Sequence, residues 1–388
     1  MDIIKTKKLY PFQQKAFDDC LKFLTIGKDK SGLAILPTGA GKSIILAKLS
    51  TVLTTPTLFI VPSVDLLRQN DSAIVNEGGV VGVFCGSLNR KEIQNLTIAT
   101  VASLKDGGIF KELGFKNVIV DEAHYKCSED GEFKKFLNDL KPKKLLGLTA
   151  TAFKLKTVRG FYSLVMLDKI LPNIFKNIIH VTQVKDVIDA GRWSELEYEF
   201  VGYNSDGLVI NSSATDYTPE SIIINNNKHE VNKSLVKRLK QILISDNGAK
   251  TLIFTDSVRT AKIISEWVEN KLNKRCGIVT DKTSPKKRKE IVDSFKDVTS
   301  DVSVLINFGT FTTGLDCPSL KYCLMGRPTM SFTLYYQIVG RLVRIFEGKD
   351  KGIFIDFCGN IQRFGRIEDI IYKQVGNFGW SCLSGEGL

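Results

Sequence analysis

The chain has 388 residues, 43% of them hydrophobic and 25% charged, which is ordinary for a globular protein and excludes global disorder. Its length predicts two or three domains, no apolar run approaches the ~18 residues of a bilayer span, and residues 1–8 lack a secretory signal, so the cytoplasm is the expected location. Lys and Arg number 54 against 42 Asp and Glu, and the resulting +12 favours polyanionic partners, although clusters such as Lys286, Lys287, Arg288 and Lys289 are more often solvated faces.

Short apolar, partly β-branched runs at residues 33–36, 57–61, 80–85, 97–100, 117–120 and 145–148 read as buried parallel strands. Helical patterns at 43–53 and 63–71 lie between them. That βαβ rhythm implies a doubly wound sheet. Residues 204–228 are dense in turn formers, including Asn211, Ser212, Ser213, Pro219 and the triplet Asn225, Asn226 and Asn227, and so predict a connector or exposed excursion. The rhythm returns with strands at 251–255, 276–280, 303–308, 321–325 and 352–357, and helices at 257–273 and 284–296. The expected organisation is two α/β domains, residues 1–195 and 233–388, joined by a linker or accessory insertion over 196–232. The eight cysteines show no C-x-x-C pair and read as reduced, mostly buried thiols.

Two places carry chemistry. A strand runs into Pro37, Thr38, Gly39, Ala40 and Gly41, and Lys42 and Ser43 then open a helix. Glycines at 39 and 41 let backbone N–H groups curl around phosphate oxygens at a helix N-terminus. Lys42 would reach the β- and γ-phosphates and the Ser43 hydroxyl would hold Mg²⁺. The strict phosphate-loop pattern asks for glycine at position 36, where this chain has Leu36, and a plain Gly turn capped by Ser is the competing reading. Downstream, the strand at 117–120 delivers Asp121, Glu122, Ala123 and His124 to the carboxyl edge of the sheet, where open α/β sheets bind ligands. Asp121 suits a Mg²⁺ contact, and Glu122 suits orienting and deprotonating an attacking water. A pair of acids after a strand also commonly begins a helix, and a lone histidine such as His124 is more often structural.

With these motifs in order, the chain resembles a superfamily 2 helicase of the DEAH-box kind over nearly its whole length. The resemblance implies two tandem RecA-like domains with parallel sheets, with nucleotide chemistry at their interface, and it implies ATP, Mg²⁺ and DNA as cofactors and partner. Residues 9–14 look like the adenine-reading segment, with Gln13 on the base edge and Tyr10 where the family often has Arg. Residues 37–43 are similar to motif I in its Pro-Thr-Gly-x-Gly-Lys-Ser form, which makes Thr38 and Ala40 further nucleotide contacts and accounts for the absent glycine. Residues 59–69 and 97–104 look like motifs Ia and Ib, implying backbone contacts to nucleic acid through Ser63, Arg68 and Thr100. Asp121 to His124 match motif II. Residues 148–151 look like motif III, which couples hydrolysis to strand movement, with Ala152 where the family usually has Pro.

In the second half, residues 251–259 look like motif IV, implying a contact through Thr255. Residues 309–316 look like motif V, implying Thr310 on nucleic acid and Gly314 and Asp316 on nucleotide. Residues 337–344 look like motif VI, implying catalytic Gln337, Arg341 and Arg344. The two arginines lie three apart in what the sequence presents as one helix, so both should project from one face and stabilise charge on the transferring phosphoryl. Motif V and the ending 355–365 are most similar to phage recombination and fork-remodelling helicases of the UvsW type. The expected activity is ATP-dependent unwinding or branch migration of forked DNA. A restriction-complex motor, an RNA helicase and an ATP-gated binding module without turnover are the alternatives.

Overall fold

The computed structural model describes residues 8–105, 107–126, 131–158, 161–170, 174–213, 215–309, 315–376 and 379–383. They divide into two compact units, residues 1–190 with 370–383, and the stretch 191–369. Among the described residues no helix is long and apolar enough to cross a membrane.

The first unit opens with α1 (Pro11–Thr25), whose proline at the first position needs no N–H partner. The strands follow as β1 (Ser31–Ile35), β2 (Thr57–Val61), β3 (Gly82–Cys85), β4 (Arg90–Lys91), β5 (Leu96–Thr100), β6 (Asn117–Val120) and β7 (Lys144–Thr149). A hairpin, β8 (Phe153–Val158) and β9 (Phe161–Met166), precedes β10 (Asn177–Val181). Eight strands form one sheet in the order β10-β1-β7-β6-β2-β5-β3-β4, parallel throughout except for the short antiparallel β4. The helices α2 (Lys42–Val52), α3 (Val64–Asn76), α4 (Gly107–Glu112), α5 (Glu132–Leu140) and α6 (Val184–Asp189) belong to the same unit. β1, β2, β5 and β6 are buried at every position, which explains why their sequences are continuous apolar runs rather than alternations. Two boundaries move from their expected places. β3 starts at Gly82 because Gly78 turns the chain at φ 83° and leaves Val80 73% exposed. α3 runs on to Asn76 because Ile74 still packs into the core.

The second unit holds a six-stranded parallel sheet. Its strands are β11 (Glu195–Phe200), β12 (Lys250–Phe254), β13 (Arg275–Val279), β14 (Val302–Asn307), β15 (Leu320–Met325) and β16 (Lys351–Asp356), in the order β11-β16-β15-β12-β14-β13. Its helices are α7 (Pro219–Lys228), α8 (Val231–Ser245), α9 (Val258–Leu272), α10 (Pro285–Lys296), α11 (Phe332–Val339) and α12 (Asn360–Phe364). Each unit is thus a RecA-like α/β layer, as the strand-helix alternation implies.

Residues 196–232 are not a linker. β11 pairs in register with β16, from Glu195 opposite Lys351 to Phe200 opposite Asp356. The Asn triplet lies on α7, which Thr218 caps and Pro219 begins. Asn226, fully buried, donates to the Asp256 carboxylate at 2.9 Å and to the Gly326 carbonyl at 3.0 Å. Asparagines that look like turn formers in sequence serve here as buried hydrogen-bonding anchors, which only tertiary partners allow. The chain finally returns to the first unit as the antiparallel hairpin β17 (Ile371–Gln374) and β18 (Trp380–Leu383).

Candidate active site

In the first unit, β1 leads into a loop that reaches α2 through Gly39 at φ 78° and Gly41 at φ 86°. Gly41 is required twice over. A side chain would be strained at that φ, and its Cβ would lie 2.4 Å from Gln13 Nε2. Gln13, 4% exposed, donates from Nε2 to the Ala40 carbonyl at 2.8 Å and accepts from the Tyr10 N–H at 3.1 Å. It braces the loop from α1. Thr38 lies in the loop, and Lys42 and Ser43 occupy the first turn of α2, where N–H groups lack intrahelical partners.

β6 ends at Val120 and brings Asp121 and Glu122 to the same edge as this loop. Lys42 Nζ lies 2.9 Å from Glu122 Oε1 across 80 residues of sequence. Asp121 is 4% exposed. Burial pushes its carboxyl up to about 6, and the Glu122 charge adds to the rise. Lys42, the Glu122 N–H at 2.9 Å and the Asn70 side chain pull the other way. Glu122 sits at φ 49°, an uncommon conformation for a non-glycine residue, of the kind that clusters at functional sites. A buried carboxylate with a hydroxyl at a helix N-terminus is the hard-oxygen donor set that suits Mg²⁺.

Two further side chains reach the acids, Asn70 with no local sequence signal and His124 from the same motif as the acids themselves. Asn70, fully buried on α3, reaches Asp121 from the helix that begins at Ser63. His124, 5% exposed, places Nδ1 2.8 Å from Thr149 Oγ1 and 3.4 Å from Glu122 Oε2. Thr149 in turn accepts from the Thr151 N–H and donates to the Thr151 carbonyl, closing a tight turn at the end of β7.

In the second unit, the expectation that Arg341 and Arg344 share a helix face is wrong. α11 carries Gln337, half-buried, and ends at Val339, and Gly340 caps it. Arg341 and Arg344 stand in the turn and extended segment beyond. Their placement comes instead from contacts: Arg341 Nη1 donates to the Leu315 carbonyl, and Arg344 Nε lies 3.5 Å from Asp316 Oδ1. Lys349 ties the same segment, donating to the carbonyls of Leu342 at 2.7 Å and Arg344 at 2.8 Å. Thr310 and Gly314 lie outside the described residues.

The expected nucleic-acid contacts divide. Ser63 caps α3, accepting from the Leu66 N–H, and Arg68 is exposed on the same helix. Thr100 is 4% exposed and its hydroxyl is paired with Ser103 Oγ at 2.8 Å. Thr255 is 1% exposed, and its single hydroxyl proton faces the Ser257 carbonyl at 3.1 Å and the Asn307 carbonyl at 3.3 Å. Thr100 ends β5 and Thr255 follows β12, so their short side chains are consumed in shaping the loops that begin there.

Comparison with known proteins adds the following. Residues 6–154 match the family model of the type III restriction enzyme res subunit, and residues 234–346 match the helicase conserved C-terminal domain. IRC3 of Saccharomyces cerevisiae, provisionally named an ATP-dependent helicase, is 25% identical over 368 residues, covering 90% of this chain and 51% of its own. XPB2 of Sulfurisphaera tokodaii, named a DNA 3′-5′ translocase, is 24% identical, covering 84% of this chain and 76% of its own. Among solved structures, the ATP-dependent type ISP restriction-modification enzyme LlaBIII bound to DNA superposes with a TM-score of 0.66 at 16% identity, covering 91% of this chain and 28% of that one. The chain therefore spans about half of the yeast protein and under a third of the restriction enzyme.

Proposed function

We propose that the chain is a superfamily 2 helicase, an ATP-driven DNA translocase that unwinds or migrates strands at branched or forked DNA, a reading supported by the two helicase-type family matches. One observation carries the reading: Lys42, from the loop between β1 and α2, meets Glu122, from the end of β6, at 2.9 Å beside the buried Asp121. A lysine at a helix N-terminus paired with a carboxylate is a charge that a triphosphate can take over, freeing the carboxylate to act as base.

In this reading the N–H groups of residues 38–43 cradle the phosphates and Lys42 moves from Glu122 to the β- and γ-oxygens. Glu122 then orients water and accepts its proton. Ser43 and Asp121 would hold Mg²⁺, which supplies neutralisation of phosphate charge. Gln337, Arg341 and Arg344 serve the charge that develops on the γ-phosphoryl. Gln13, Gly314 and Asp316 complete the nucleotide contacts, Asp316 through its pairing with Arg344. Ser63, Arg68 and Thr310 serve the nucleic-acid backbone. The +12 balance and the name of the archaeal relative support DNA held through phosphates, without base reading. The preference for branches rests on the likeness of motif V and the 355–365 ending to fork-remodelling helicases.

The match of residues 6–154 favours a second reading, the motor of a restriction complex. Turnover and strand release on forked, four-way and linear DNA of matched length, and on RNA, separate these readings. Strongest stimulation by forked DNA with release of a strand is the expected result. Equal stimulation by linear duplex, with no strand released, favours the restriction motor. Stimulation by RNA alone overturns the DNA assignment.

A further inference from the structure

We propose that the hairpin of β17 and β18 is a positioning element of the hydrolysis site, with Tyr372 fixing the turn at residues 149–151 and, through Thr149 and His124, the Glu122 carboxylate. The proposal rests on the translocase reading above, because it concerns the same site.

A two-stranded hairpin has marginal stability on its own, so what it packs against determines its position. This one is fastened to the first unit at several points. The Gln183 side chain closes an amide-like pair with the Tyr372 backbone, donating to its carbonyl at 2.7 Å and accepting from its N–H at 3.0 Å. Lys169 Nζ donates to the Trp380 carbonyl at 3.0 Å. The alternation along β17 leaves Ile371 45% exposed and turns Tyr372, 3% exposed, inward, where its ring lies 6.2 Å from that of the fully buried Phe153. The Tyr372 hydroxyl then donates to the Ala150 carbonyl at 3.3 Å across 222 positions of sequence.

Ala150 is the middle residue of the turn that Thr149 closes on Thr151. The Thr149 hydroxyl has one proton and gives it to the Thr151 carbonyl, so at the 2.8 Å contact His124 Nδ1 is the donor. The same Nδ1–H faces Glu122 Oε2 at 3.4 Å. A displacement of the Ala150 carbonyl therefore moves the hydroxyl that orients His124, and with it the carboxylate proposed as the base. Nothing in residues 370–383 reads as a helicase motif, and the link arises only because the chain returns to the first unit after completing the second.

The test uses the full chain and compares wild type with Tyr372→Phe, which keeps the ring and deletes the donor. With saturating forked DNA, kcat for ATP is expected to fall by about 2- to 10-fold, the range of one hydrogen bond, while KM for ATP and the melting temperature stay close to wild type. Tyr372→Phe and His124→Ala act through one hydroxyl, so their combined loss should be smaller than the product of the separate losses. Gln183→Ala, which loosens the hairpin from outside the site, should lower kcat in the same direction and gives an independent measure if Tyr372→Phe folds poorly. Wild-type kcat in both Tyr372→Phe and Gln183→Ala, or strictly multiplicative losses with His124→Ala, overturns the proposal and leaves the motor reading intact. Absence of DNA-stimulated turnover in the wild type overturns the motor reading, and this proposal with it.

Discussion

Lys42 and Glu122 form an ion pair, and under the proposed reading, in which a phosphate replaces Glu122 as the partner of Lys42, the two are expected to fail differently when substituted. Lys42→Ala should abolish ATP hydrolysis by removing the charge on the phosphates, while Glu122→Gln should bind ATP and stall. The loss of one placed stabiliser typically costs ~10²–10³-fold in rate, and near-normal turnover in either variant contradicts the assigned roles. Asp121 makes a pH prediction. Its carboxyl is raised to about 6 from an ordinary 3.8, so the fold binds more protons than the unfolded chain between those values and loses stability as pH rises through them. Turnover should accordingly decline as pH falls through about 6. Asp121→Asn should melt at a higher temperature than wild type at pH 7 without nucleotide, and should show no advantage near pH 4. Arg68 and Thr255 separate contact from scaffold. Arg68→Ala should reduce the slope of log affinity for DNA against log salt by about 1. Thr255→Val, at a buried hydroxyl, should cost ~1–2 kcal/mol of stability and leave that slope unchanged.

At the scale of elements, the strands that position the first site were readable because burial on both faces makes each of them a short apolar run. β2 and β6 coincide with their expected bounds. The end of α11 was not readable. Residues 337–344 have helical spacing and no proline, yet Gly340 ends the helix, and the following turn is held from outside by Leu315, Asp316 and Lys349. Lys349 is the instructive member of that set. Burial pushes its ammonium down to about 8, and the neighbouring Arg344 adds to the fall while Cys317 opposes it. Two good carbonyl contacts keep the group where it is nevertheless. Lys349→Met removes those contacts while conserving bulk, and it should lower kcat about 10-fold or more, with ATP affinity nearly unchanged, because the turn that carries Arg341 and Arg344 loses its tie. Equal kcat in Lys349→Met and wild type would show that the turn holds itself.

For the whole molecule, the chain order of the units matters: residues 370–383 belong with residues 1–190 although the second unit lies between them in sequence. A fragment of residues 1–190 therefore lacks the strand pair that covers Phe153 and binds the Ala150 carbonyl. Hydrogen exchange should show weaker protection over residues 145–153 in that fragment than in the full chain, by about 10-fold or more, corresponding to ~1–2 kcal/mol of lost contacts. Identical protection would mean that the hairpin rests on the unit without stabilising it.

The sequence alone determined the two α/β layers, the phosphate loop and the pair of acids, because each is a local pattern: burial periodicity for the strands, glycine at positive φ for the loop, and carboxylates directly after a strand. Tertiary structure decided everything that depends on which distant groups meet. It turned the Asn-rich excursion into part of the second unit by giving Asn226 buried partners in Asp256 and Gly326. It withdrew Thr100 and Thr255 from the surface by supplying them with internal acceptors or partners. It gave Asn70 a place beside Asp121 that no spacing announces, and it joined His124 to Thr149 across 25 positions. Hydrogen bonds of this kind act over about 3 Å in space and are indifferent to separation along the chain, so they leave no periodic trace in the sequence that forms them.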